Sequence, residues 1–138
     1  MRYILLFSIC LLFNFLKAQT IKDFKSFADT VVVQKGFNYV EKSNKQKILF
    51  IGEITDEKNT TYKVFISQLN LSGKGVNDLI FVSKQKEYKY RLNLPSDAPF
   101  KISFNELYFK NKGVVKTMKL NNSLNEWFCS PFECFEKI

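Results

Sequence analysis

From Lys47 to Leu120 apolar side chains recur at every second position, in short runs separated by polar turns. That period is the period of a β-strand, so the chain has little choice but to build sheets. The clearest run is Tyr88, Tyr90, Leu92 and Leu94, with Glu87, Lys89, Arg91 and Asn93 between them. Such a strand is expected to turn one row into the core and the other into water.

Other runs repeat the pattern. Ile48-Leu49-Phe50-Ile51 continues to Ile54, and Asp56-Glu57-Lys58-Asn59 makes a turn before Tyr62, Val64 and Ile66. Gly73-Lys74-Gly75 turns the chain into Leu79-Ile80-Phe81-Val82, and Lys84-Gln85-Lys86 turns it again. Pro95 to Pro99 ends the clearest strand, because proline cannot donate to a central ladder. Phe100, Ile102 and Phe104 resume the alternation, while Leu107 and Phe109 have the opposite parity, which predicts a bulge near Asn105. Asn111-Lys112-Gly113 is a hairpin turn. The fold class is therefore mainly β: an antiparallel meander forming a small β-sandwich or barrel.

Both ends carry helix signals. Thr20-Ile21-Lys22-Asp23 has the form of a capping box, with Ile21, Phe24, Phe27/Ala28 and Val31 at helical spacing, so a helix is expected over about 21–29. Val31-Val32-Val33 then reads as strand. Such a helix would cover a face of the sheet that Phe50, Phe65 and Phe81 otherwise leave open. Near the carboxy end Ser123-Leu124-Asn125-Glu126 also fits a capping box and predicts a short C-terminal helix through Trp127 and Phe128, stopped by Pro131.

The first residues are of another kind. Arg2 precedes a nearly unbroken apolar run, Tyr3 to Leu16, and Ala18 offers a small residue for cleavage. The run is too short for a membrane-spanning helix, which needs roughly 20 residues, and has the length of a signal-peptide core. Residues 1–18 are read as a signal peptide and 19–138 as a single β-rich domain with no transmembrane segment. The leader resembles the export signals of Bacteroidota, with the cut falling before Gln19. That resemblance implies a bacterial protein delivered to the periplasm, the outer surface or the medium. Losing Arg2 and Lys17 takes the formal net charge from +8 to +6.

Cleavage also removes Cys10 and leaves Cys129 and Cys134, an even pair in an oxidising compartment, expected as a disulfide around the Ser130-Pro131 turn. The spacing is not that of a two-residue redox motif. The chain has no histidine. That removes Ser-His and Cys-His nucleophilic arrangements and the usual zinc sites, and no cofactor or metal is expected. Carboxylate chemistry survives, with Glu53, Asp56, Glu57, Asp78, Glu87, Asp97 and Glu106 available. Glu106, set among Phe104, Leu107, Tyr108 and Phe109, is the one that burial would perturb most.

The basic charge is concentrated. Residues 84–119 hold nine Lys and Arg against three acids. Lys89 and Arg91 share one strand face and Lys84 and Lys86 lie at its foot, a candidate site for an anionic glycan, lipid or acidic protein of the envelope. Nucleic acid is not expected, because the aromatic residues alternate away from the basic ones and so give no stacking platform. The sequence points to a secreted or envelope-associated, non-enzymatic binding or accessory domain. A hydrolase acting through paired carboxylates and a secreted enzyme inhibitor are the alternatives.

Overall fold

The computed structural model describes residues 24–30, 39–42, 45–71, 74–121 and 124–138. The expected export signal, the expected Thr20–Asp23 capping box, Val31–Val33 and Gly73 lie outside them. The elements are α1 (Phe24–Thr30), β1 (Tyr39–Lys42), β2 (Gln46–Thr55), β3 (Thr61–Leu71), β4 (Lys74–Val82) and β5 (Glu87–Leu92). A single 3-10 turn (Pro95–Asp97) leads into β6 (Lys101–Ser103), β7 (Glu106–Asn111), β8 (Val114–Met118), β9 (Trp127–Cys129) and β10 (Cys134–Glu136).

Strands β1 to β5 form an antiparallel meander in sequence order, β6-β7-β8 a second, three-stranded sheet, and β9-β10 a separate hairpin. The meander expected from the alternation is present, and the sheets pack face to face without closing into a barrel. Tyr62, Val64, Ile66, Leu79, Phe81, Tyr90 and Leu92 point from the large sheet into the inter-sheet core, where they meet Leu107, Phe109, Phe128 and Phe135. On the opposite face Ile48, Phe50, Phe65, Ile80 and Val82 are covered by Phe24 and Ala28 of α1. The sheet is thus buried on both sides. The expected helix cover exists, but over seven residues only. Phe50 and Phe65 lie under it while Phe81 faces the other way.

One extra residue re-aims β2. Phe50 pairs with Phe65 and Gly52 with Val64, so Ile51 is a bulge that joins Leu49 and Ile54 on the inter-sheet side. Gly52 sits at φ 136, and a Cβ there would lie 3.3 Å from the Ile102 Cβ. Glycine is required for both the angle and the close approach of β6.

Three expectations are corrected. The parity change near Asn105 is a two-residue turn rather than a bulge: Ser103 pairs with Glu106, and Phe104 and Asn105 both have positive φ, 50 and 57. Ile102 and Leu107 are direct partners and so share a face, whereas Phe104 leaves the sheet altogether. Leu94 lies beyond the end of β5 and is exposed. The carboxy end forms a hairpin instead of a helix. Asn125 Oδ1 accepts the Trp127 N–H at 3.2 Å, an Asx-type contact that uses the same chemistry as a helix cap, but the chain leaves it as strand. Phe128 then opposes Phe135, and both bury completely or nearly so.

Cys129 and Cys134 are directly opposed on that hairpin and joined, S–S 2.04 Å. The Ser130 hydroxyl accepts the Phe132 and Glu133 N–H groups and closes the turn. Phe128 packs on Phe81 and Tyr90 with ring centroids 5.3 and 5.5 Å apart. The Tyr90 hydroxyl donates to the Asn125 carbonyl at 2.9 Å, and Lys137 bridges to Tyr90 in antiparallel fashion, so the hairpin is pinned beside β5.

Candidate functional site

The basic residues expected to form a site divide into two pairs. Lys84 and Lys86 are exposed in the β4–β5 turn. Lys89 and Arg91, expected to face open water, share the sheet face on which α1 packs; Lys89 is half-buried there, while Arg91 stays exposed. Lys89 Nζ sits 5.4 Å from the Phe24 ring centroid and 3.6 Å from Glu87 Oε1. Arg91 Nε donates to Asp78 Oδ1 at 2.5 Å. Period-two alternation separates the faces of a strand but does not say how far water reaches each one, and here Phe24 lies against the Lys89 end of the face that Arg91 leaves exposed.

The carboxylates are likewise mostly engaged. Asp56 accepts the Lys58 and Thr60 N–H groups at 2.9 and 2.8 Å and organises the β2–β3 turn. Asp78 and Glu87 have the cationic partners just described, Glu53 stands opposite Lys63, and Glu106 is half-buried opposite Ser103. Asp97 Oδ2 accepts the Leu94 N–H at 2.6 Å. Burial first, and then the adjoining Asp97 carboxyl, pushes Glu133 above its ordinary value, while a 3.2 Å hydrogen bond from Asn93 opposes the rise. Burial, reinforced by Asp56, also raises the Tyr62 phenol, and burial reinforced by Tyr88 raises that of Tyr90. Among the described residues no group of three or more potential metal ligands is gathered, and no helix is long and apolar enough to cross a membrane.

Two concavities stand out. A small polar one of about 170 Å³ lies between the β2–β3 and β4–β5 turns, lined by Asp56, Lys58, Tyr62, Ser83, Lys86 and Tyr88 among others. The larger is an apolar cleft of about 430 Å³ between the large sheet and the segment that leads into β6. Its floor is Leu49, Ile51, Ile66 and Gln68; its opposite wall is Pro95, Ser96, Ala98, Pro99 and Phe100; Lys110 stands at its rim. The volume falls in the range of small-molecule sites, roughly 300–1,000 Å³.

Local chemistry builds each wall. The bulge turns Ile51 onto the cleft side beside Leu49. On the facing wall two prolines restrict the backbone, and Asp97 locks the single turn through its own N–H to Leu94 O at 3.1 Å and its carboxylate on the Leu94 N–H. The wall is therefore preformed, which lowers the ordering cost of binding. Polar groups are few: Gln68, Ser96 and Lys110 line the cleft. Lys47 is exposed and is the direct cross-strand partner of Gln68, so it projects on the same side of the sheet.

The sequence offers little warning of this cleft. Its residues come from β2, β3, the proline segment and β7, and meet only when β6 docks on Gly52. The proline pair was the available signal, as a rigid connection between two sheets. No protein-family model matches the chain, and no curated protein or solved structure is significantly similar to it.

Proposed function

We propose that this is a non-enzymatic binding domain, exported from the cytoplasm, whose cleft takes the apolar portion of an amphipathic anion. The ligand class is a long-chain carboxylate or the acyl part of an anionic lipid. The observation that carries this reading is a preformed cleft of about 430 Å³ whose polar lining is confined to Gln68, Ser96 and Lys110. An apolar chain covers Leu49, Ile51 and Ile66, and its charged end stays at the rim near Lys110, with Lys47 alongside. The anionic partner expected from the basic composition is kept, and its contact moves from Lys89 and Arg91, which have partners within the chain, to the cleft rim. The excess of positive charge would speed the approach of such a ligand.

The test is a titration of the purified domain with a fluorescent long-chain fatty acid, displaced by an unlabelled acid or by the alcohol of equal length. The acid should compete better than the alcohol. Lys110→Glu should weaken the acid about tenfold, a loss of about 1.4 kcal/mol, and leave the alcohol unchanged. Ser96→Trp, which fills the cleft from an exposed position, should abolish both. Absence of saturable binding, or equal binding of acid and alcohol, would sink the reading. Export is checked by intact mass, which should start at Gln19.

A further inference from the structure

Phe104 is 91% exposed, the most exposed of the large apolar side chains among the described residues. It occupies the first central position of the β6–β7 turn at φ 50, and Asn105 follows at φ 57. Two consecutive positive φ values make a type I′ hairpin, whose central positions favour Asn, Asp and Gly. Asn105 suits this turn; phenylalanine at positive φ is strained and makes none of the core contacts that would repay it. The tip is nonetheless held firmly. Asn105 Oδ1 accepts the Thr55 N–H at 2.8 Å, and Asn105 Nδ2 donates to the Thr55 carbonyl at 3.0 Å. A clamped backbone therefore presents a bare aromatic ring.

The setting of that ring has a sign. Glu106 follows Asn105, and Asp56 and Glu57 follow Thr55, against one lysine, Lys58. The apolar cleft has the opposite sign, with Lys110 at its rim and Lys47 beside Gln68. Tip and cleft also lie at opposite ends of β6. Phe100 in the cleft wall is four residues from Phe104, about 13 Å along a strand. An acid-flanked aromatic at one pole and a lysine-rimmed apolar cleft at the other are complementary surfaces on a single molecule.

We infer that Phe104 of one copy docks in the cleft of a second copy, so that the domain associates head to tail. The contact is heterologous: each copy gives a tip and offers a cleft, and association propagates into a ring or a filament. An acid-flanked tip suits this occupant better than an anionic membrane, which it would repel. The inference uses the same cleft as the proposed ligand site but does not depend on the ligand's chemistry, and an amphipathic anion in the cleft would compete with the incoming ring.

Sedimentation velocity on the exported domain over a wide concentration range tests it. The wild type should associate as concentration rises. Phe104→Ser should weaken association at least about 30-fold, as expected for an aromatic anchor, while thermal stability stays the same or rises. Ser96→Trp should block association from the other side. The decisive arm mixes the two variants. Phe104→Ser keeps an intact cleft and Ser96→Trp an intact tip, so the mixture should form dimers and stop there, although each variant alone stays monomeric. A wild type that is monomeric throughout, a Phe104→Ser variant that associates normally, or a mixture that fails to dimerise would each overturn the inference. So would Phe104-dependent flotation with anionic vesicles in place of self-association. Fatty-acid binding by the Phe104→Ser monomer is read separately, which keeps failure of the ligand reading distinct from failure of this one.

Discussion

Asp78 and Arg91 face each other across β4 and β5 and are joined by a 2.5 Å contact between Nε and Oδ1. Their exposures differ: the Asp78 side chain keeps 8% of its surface and that of Arg91 48%. An ion pair with one member so exposed contributes little by its attraction alone. Removing the arginine is another matter, because it leaves a buried carboxylate without its donor. Arg91→Ala should cost about 1–3 kcal/mol, read from the urea midpoint, whereas Lys84→Ala in the exposed turn should change it by less than about 0.5 kcal/mol. Equal midpoints for the two variants would show that Asp78 finds water instead.

Gly52 and Gly113 both have positive φ, 136 and 82, but only Gly52 has a neighbour where a Cβ would stand. Gly52→Ala should destabilise by about 1–3 kcal/mol, from the strained angle and the displaced Ile102. Gly113→Ala meets open space and should cost less. Denaturant curves for the pair test the difference, and a reversed order would contradict the close approach of β6 to the bulge.

Glu133 titrates above its ordinary value of 4.5 because it is partly buried and lies against Asp97. A carboxyl with a raised folded-state value holds its proton more firmly in the native protein than in the unfolded chain. Its favourable contribution is complete below the unfolded value and is lost as pH rises through the folded one. Melting temperatures of wild type and Glu133→Gln should therefore converge in mild acid, with the variant the more stable at neutral pH. A wild type that is more stable at neutral pH would reverse the sign and refute the carboxyl contact.

Cys129→Ser with Cys134→Ser should lower stability by about 2 kcal/mol, the chain-entropy figure for so short a loop. Far-UV circular dichroism should be retained, because Phe128 and Phe135 still have their core contacts. Alkylation of the unreduced, denatured wild type should add no mass. Two added groups would mean free thiols.

The strands were legible because alternation is a local property of the chain. Tyr90 and Leu92 lie in the core where their period puts them, and Asp56 turns the chain where four polar residues interrupt the pattern. What covers each face is not local. Lys89 looks solvated beside Tyr90 in the sequence, yet Phe24, far away in the chain, packs over it. Arg91 meets Asp78, thirteen residues earlier, only through the β4–β5 register. The C-terminal helix signal rests on the Ser123–Glu126 pattern alone, whereas Asn125 bonds the Trp127 N–H in an Asx turn and the chain continues as strand, with Phe128 and Phe135 packing as a pair. Phe104 reads as a continuation of the Phe100 and Ile102 alternation because a two-residue turn preserves the look of an alternating run while reversing its direction.

The bulge in β2 has a genetic consequence. Adding or deleting one codon within a strand normally turns every following side chain over, because the facing repeats every two residues. Ile51 is the exception in β2. Without it, Phe50 would still meet Phe65, Gly52 would still meet Val64, and the rest of the strand would keep its partners. Loss of this single codon therefore alters the floor of the cleft and the local twist while leaving the register of the meander intact. At Ile51 an in-frame deletion can reshape the cleft without having to rebuild the sheet beneath it.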